Sequence, residues 1–198
     1  NPAHSDAEIK RLHQETALVD GHANIDGGLA LSIDLAGDKQ TGLIGYRAKR
    51  HAGLIDVDRV NSLTVNEFWE PIYNHGKNQL ILDPDEFYIL ASRESVTIPP
   101  THAAEMVPFN PLVGEFRVHY AGFFDPGFGM EELGAGATRA VLEVRSHDVP
   151  FLIEEGQTVC RLVYEPMAAV PDSLYGASGS GSNYQSQGLR LAKHFIQD

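Results

Sequence analysis

The chain has 198 residues, 42% of them hydrophobic, and a formal net charge of −12, a length and apolar content that suit one globular domain with a sizeable core. An acidic excess of this size leaves no basic surplus to neutralise a phosphate backbone, which excludes a general nucleic-acid binder. The lone Cys160 excludes a disulfide framework and a cysteine-based zinc site.

No run of about 18 apolar residues exists, so no membrane span is expected, and no signal-peptide pattern opens the chain. A soluble, cytoplasmic protein is the expectation. The first residue is Asn1 rather than Met, which fits a processed product, an engineered chain or one half of something longer.

In chain order, the first element is a helix over Ser5 to Val19: Ser5 can cap it, Glu8 follows three residues on, and Ile9, Leu12 and Val19 fall at helical spacing. Short strands follow at Ala30 to Asp34, Gln79 to Leu82, Phe87 to Ser92, Glu115 to Tyr120, Arg139 to Ser146, Pro150 to Ile153 and Thr158 to Tyr164. Asn66 to Tyr73 reads as a short helical insertion. Turn signals at Asp26-Gly27-Gly28, Asp83-Pro84-Asp85, Pro99-Pro100, Asp125-Pro126-Gly127 and Glu154-Glu155-Gly156 separate the strands. Many short strands at close spacing favour a closed or sandwiched β architecture over a parallel α/β one.

Residues 124 to 144 carry the most information. Alternation in Ala140-Val141-Leu142-Glu143-Val144 puts Val141 and Glu143 on one face and Leu142 and Val144 on the other. A carboxylate inside an apolar strand is either turned to solvent and paired with Arg139 or Arg145, or desolvated, with a pKa raised into the range useful for proton transfer. From Ala168 onward periodicity is lost, and Gly176 to Ser182 reads GASGSGS. This divides the chain into a β domain, residues 1–167, and a Gly/Ser-rich hinge with a mobile C-terminal lid, residues 168–198. A disordered tail is the plainer alternative. Arg47, Lys49, Arg50 and His51 form a basic cluster that fits either phosphate contact or a solvated loop, and Trp69 fits packing or an interface. Arg190 and Lys193 fit phosphate contact or a solubilising tail.

Several segments, taken in order, resemble the dCTP deaminase branch of the trimeric dUTPase-like superfamily. They are Ile25 to Leu35, Leu82 to Ala91 with Glu94-Ser95-Val96-Thr97-Ile98-Pro99, Phe124-Asp125-Pro126-Gly127-Phe128, Val141-Leu142-Glu143, and Tyr184-Gln185-Ser186-Gln187-Gly188. Residues 45–51 and 114–129 look like the second half of a long form built from two fused copies. The resemblance implies a mainly β, distorted barrel or jelly roll with a short N-terminal helix, assembled as a homotrimer or as a pseudo-trimer of tandem halves. It implies hydrolysis of dCTP to dUTP and ammonia, with Glu143 as the catalytic base and acid. Mg²⁺ would enter only with the triphosphate and no zinc would take part, the H-x-E and P-C-x-x-C signature of the zinc deaminases being absent.

Substrate contacts implied by the same resemblance are His119, Tyr120 and Ala121 before the DPG turn, Phe128 against sugar and base, and Tyr175, Tyr184 and Gln187 from the lid. Asp125 is expected to hold the turn. His119 has a second reading as a hydrogen-bonded structural residue. Where the family carries Ser, Ser and Arg before a glycine, this chain has Pro108, Phe109 and Leu112 before Gly114, and none of the three donates a charge-assisted hydrogen bond to phosphate. Two further hypotheses follow: a non-catalytic nucleotide-binding half that relies on a partner, and a dUTP pyrophosphatase, for which Asp26 and Asp34 are the candidate water-activating aspartates.

Overall fold

Helix α1 spans Asp6–Glu15 and opens with a reciprocal capping box: the Glu8 carboxylate accepts from both the Ser5 backbone N–H and the Ser5 hydroxyl. It stops short of the predicted Val19, and the Leu18 N–H donates to His13 Nδ1 at 3.1 Å rather than to a helix carbonyl. Thr16 turns extended instead, and Val19 bridges to Val96. The computed structural model describes residues 3–108, 116–119, 122–133, 138–146, 148–177 and 188–196, with only the backbone at 116–119 and at Glu132. No described helix is long and apolar enough to cross a membrane.

The rest is mainly β. The described strands are β1 (Leu29–Ser32), β2 (Leu43–Ala48), β3 (Trp69–Tyr73), β4 (Gln79–Leu82), β5 (Phe87–Ser95), β6 (His102–Pro108), β7 (Phe116–His119), β8 (Phe123–Phe124), β9 (Arg139–Ser146), β10 (Phe151–Glu154) and β11 (Thr158–Pro166), with one α-helical turn, α2 (Val65–Phe68), and a 3₁₀ turn at Glu131–Leu133. They form a four-stranded sheet in the order β1-β11-β6-β8, a five-stranded sheet in the order β3-β2-β5-β9-β7, and the ribbon β10-β4. Every strand pair is antiparallel. Both sheets and the ribbon feed one core: Leu31, Leu162 and Tyr164 come from the first sheet, Leu90, Leu142 and Val144 from the second, and Leu82 and Ile153 from the ribbon.

Three strands escape the sequence pattern. In β2, Gly45 and Arg47 interrupt the apolar alternation. Gly45 is required there because a Cβ would meet the Leu90 side chain at 2.4 Å and the Ile89 carbonyl oxygen at 2.5 Å. Strand β6 alternates buried and half-buried residues but starts HAAE, with weak β formers, and β8 has only two residues. The insertion read as helical is one turn followed by edge strand β3. Pro71 would break a helix but is tolerated at a sheet edge.

A second, smaller apolar cluster lies on the other face of the five-stranded sheet, where Ile89 and Phe68 meet Leu191 and Phe195. Residues 188–196 are therefore docked on the β domain. Asn61 N–H donates to the Lys193 carbonyl at 2.9 Å, Ser62 and Leu63 N–H to that of His194 at 3.0 and 3.1 Å, and Ile196 N–H to that of Leu63 at 2.9 Å. The preceding stretch is anchored as well, since Tyr175 N–H donates to the Pro126 carbonyl at 2.9 Å.

Candidate active site

Strand β9 shows the alternation read from its sequence. Ala140, Leu142 and Val144 are fully buried in the main core, while Val141 and Glu143 are half-buried on the opposite face. Pairing with β5 sets Ile89 opposite Glu143 and Phe87 opposite Arg145. Because directly opposed residues share a face, Phe87, Ile89, Val141 and Glu143 form a mostly apolar floor around one carboxylate.

That floor bounds a cavity of about 470 Å³. One wall is the turn 125–128 with Phe124 before it, a second is Tyr175, and a third is Arg190-Leu191-Ala192 from the docked C-terminal segment, with Trp69 of β3 closing an end. The turn is held from several sides. Phe128 N–H donates to the Asp125 carbonyl at 3.1 Å, Ile98 N–H to that of Phe128 at 2.8 Å, and Gly127 N–H to that of Ile98 at 3.0 Å. Gly129 ends it at φ +71°, where a Cβ would lie 1.9 Å from the Val96 carbonyl oxygen; only glycine fits. Phe128 is buried, with its ring edge-on to Phe124 at 5.0 Å and tilted against Tyr175 at 5.7 Å.

Burial pushes the Glu143 carboxyl above its ordinary value of 4.5, and the charge of Arg145 pulls only partly the other way. Among the described residues no hydrogen bond or ion pair engages its carboxylate. Arg139, one of the two arginines named as possible partners, pairs instead with Asp34, and Arg145 lies over the Phe87 ring, 4.9 Å from its centroid. A half-buried carboxyl whose pKa is raised by burial, facing an aromatic-walled cavity, is suited to take up and release a proton.

Of the residues singled out in the sequence, the structure brings Glu143, Asp125, Phe128, Tyr175, Trp69 and Arg190 to this one cavity. His119 is opposite Glu143 in the β7/β9 register. Asp125 does more than hold the turn, since it also lines the cavity. Tyr120, Ala121, Tyr184, Gln187, Phe109 and Leu112 lie outside the described residues, and Pro108 closes β6 opposite Cys160.

The basic cluster turns elsewhere. Arg47 is paired with Glu70 at 2.6 Å and Asp83 at 3.3 Å, Arg50 with Glu86 at 2.8 Å, and the Lys49 ammonium donates to the Asn66 carbonyl. The aspartates Asp26 and Asp34 pair with Arg161 and Arg139, and neither lines the cavity. Sequence reasoning missed Phe87 and Ile89, which the β5 alternation could have flagged once β5 was paired with β9. It also missed the wall at Leu191 and Ala192, which no local signal marks.

Three comparisons bear on this geometry. A solved structure described as 2'-deoxycytidine 5'-triphosphate deaminase from Agrobacterium tumefaciens superposes with a TM-score of 0.78 at 57% identity, over 86% of this chain and 50% of that one. Curated proteins named dCTP deaminase, dUMP-forming, are 27% identical over 110 residues in Beutenbergia cavernae and 31% identical over 135 residues in Methanobrevibacter smithii. The matches cover 54% and 66% of this chain, which thus spans only 53% and 65% of those two proteins. The family model of the 2'-deoxycytidine 5'-triphosphate deaminase C-terminal domain matches residues 5–195, and the chain belongs to that family.

Proposed function

We propose that this chain carries the base-binding and proton-relay part of a dCTP deaminase. The observation that carries the reading is the Glu143 carboxyl, unpaired among the described residues and raised in pKa by burial, at the floor of an aromatic-walled cavity. In this reaction water adds to C4 of the cytosine ring, and the amino group leaves as ammonia. As a carboxylate, Glu143 takes a proton from the attacking water and, as a carboxylic acid, passes it to N3, where it stays in the uracil ring; it then takes the remaining proton of the C4 hydroxyl and delivers it to the amine as the carbonyl forms and ammonia leaves. A carboxyl held above its ordinary value serves both directions better than a fully ionised one. Phe128 and Tyr175 offer ring faces to the base and sugar, and Tyr184 and Gln187 reach the sugar and phosphates from the C-terminal segment.

Magnesium belongs to the substrate in this reading. As the resemblance implies, Mg²⁺ is carried on the triphosphate oxygens. Pro108, Phe109 and Leu112 supply no charge to those oxygens. We therefore assign the phosphate grip in part to another copy, in a homotrimer or a pseudo-trimer of tandem halves, working in the cytoplasm.

Two observations favour a second reading, in which the product is dUMP. The curated relatives carry that product in their names, and Asp125 is a second carboxylate lining the cavity, to which this reading assigns activation of water for phosphate cleavage. Incubating the purified protein with dCTP and Mg²⁺, then measuring ammonia, pyrophosphate and the nucleotide products, separates the readings. Ammonia with dUTP supports deamination alone, and ammonia with pyrophosphate and dUMP supports the coupled reaction. Folded protein that binds dCTP without turnover marks a non-catalytic half.

A further inference from the structure

Most of the aromatic side chains that line the Glu143 cavity are already engaged. Phe124 meets Phe128 edge-on at 5.0 Å, Phe128 is tilted against Tyr175 at 5.7 Å, and Trp69 is tilted against Phe87 at 6.0 Å, with Arg145 lying over the Phe87 ring. Phe123 lines the same cavity and differs from all of them. Among the described residues no ring or cation engages it, and it is 69% exposed, while its neighbour Phe124 is buried.

The backbone explains the contrast. Strand β8 is an edge of the four-stranded sheet, where Phe124 lies opposite Ala104 and Phe123 opposite Glu105. Alternation along the strand sends the first ring into the core and the second outward. Gly122 leads into β8 at φ +85°, a conformation that favours glycine. A lone exposed apolar side chain is ordinary at a protein surface. One that lines an aromatic-walled cavity with its ring unpaired is placed to receive a planar partner.

We propose that Phe123 is the stacking platform for the pyrimidine ring, an assignment that rests on the reading of this cavity as a dCTP site. Phe128 and Tyr175, paired with one another, shape the wall against which base and sugar lie, whereas Phe123 turns onto the base without giving up a ring contact. Every base presents a π face to an aromatic side chain, so Phe123 sets the plane of the ring and not its identity. The choice between cytosine and uracil is left to groups that meet the ring edge. The consequence for the reaction is directional. Water adds to C4 perpendicular to the ring, so a face covered by Phe123 is closed to it and attack is confined to the other face.

The test uses α,β-imido-dUTP, which has no exocyclic amine to lose and no cleavable α–β bridge, so the result is independent of what Glu143 does. In calorimetry with Mg²⁺, Phe123→Ala should weaken binding by about 5- to 150-fold. Because the side chain is exposed, the melting midpoint of the ligand-free variant should stay within about 1–2 °C of wild type. Phe123→Leu, which keeps apolar bulk without a π face, should remain weakened about fivefold or more. Phe123→Trp should bind at least as tightly as wild type, with the added indole fluorescence quenched on binding. An affinity within twofold of wild type in F123A overturns the proposal, as does full recovery by leucine. Folded wild-type protein that does not bind the analogue removes the dCTP reading itself, and the stacking role with it.

Discussion

Phe195→Ala probes whether the Glu143 cavity is closed by a segment that can leave without unfolding the domain. Phe195 is 2% exposed and meets Phe68 and Trp69 edge-on at 5.6 and 6.0 Å. Truncating a phenylalanine buried to this degree costs about 3–5 kcal/mol. Residues 188–196 are also held by Leu189 and Leu191, by His194 Nδ1 at 3.0 Å from the Arg59 carbonyl, and by four backbone hydrogen bonds to residues 61–63, each contributing only about 0.5–1.5 kcal/mol net. A loss of this size lowers the docked-to-undocked ratio by a factor of about 10² to several thousand, so the segment should detach before the sheets give way.

Local detachment then caps the global effect. The melting midpoint should fall by only about 2–3 °C, where a fully coupled loss would lower it by roughly 10 °C. Hydrogen exchange should show lost protection at 188–196 and at Asn61, Ser62 and Leu63, with β5 and β9 unchanged. Losing the Arg190-Leu191-Ala192 wall should also bring the Glu143 carboxyl down towards 4.5, visible in a carbon-detected titration. A midpoint that falls by the full amount while residues 61–63 stay protected refutes the reasoning and makes the segment part of the core.

Three other changes test separate links. Glu143→Gln should lower turnover by about 10²- to 10⁴-fold or more while leaving dCTP affinity nearly unchanged in calorimetry. Because the folded carboxyl binds its proton more tightly than the unfolded one, wild-type stability declines as pH rises from 4.5 through the raised value; the Gln variant should lack that decline and match or exceed wild type at pH 7 in denaturant melts. Gly129→Ala forces a Cβ against the Val96 carbonyl oxygen at a positive φ and should cost about 2–5 kcal/mol in urea unfolding, with weaker dCTP binding as Phe128 shifts. Asp6→Asn removes the charge that accepts the Gly27 and Gly28 N–H groups at 2.9 and 3.0 Å. These bonds hold the Asp6 carboxyl below 3.8, so their contribution is present above 3.8 and fades as pH falls through the depressed value; the exposed site limits the loss to about 1 kcal/mol at pH 7, vanishing in acid.

What the sequence made legible follows from how far each signal reaches. Gln79–Leu82 and Arg139–Ser146 are found with the bounds read from their residues, because two-residue periodicity is a local property of a half-buried strand. Strand β5 runs past the predicted Ser92 to Ser95 because a register shift between Ala91 and Ser95 carries the pairing on. Such a bulge depends on the partner strand and leaves no mark in its own residues. Arg47 illustrates the same limit at the level of charge: as a sequence it joins a basic cluster, but β2 pairing puts Glu70 opposite it. The cavity wall at Leu191 is less legible still, for its burial depends on a loop more than a hundred residues earlier in the chain.

The charge distribution around the cavity bears on how the proposed labour is divided. A nucleoside triphosphate brings several negative charges to a chain of net charge −12, so cations must be placed for it individually. Among the described residues that line the cavity, Arg190 alone is cationic. Arg47 and Arg50 are already matched by Glu70, Asp83 and Glu86, and freeing them would leave those carboxylates without their partners. The β9 face offers a mostly apolar floor and one carboxyl whose pKa burial raises. Placing strong cations next to Glu143 would pull its pKa back down and impair it as a proton carrier. Base chemistry and phosphate grip therefore make opposing electrostatic demands, and an architecture that puts the ring over β9 and draws the triphosphate outward, to Arg190 and to groups supplied by another copy, satisfies both.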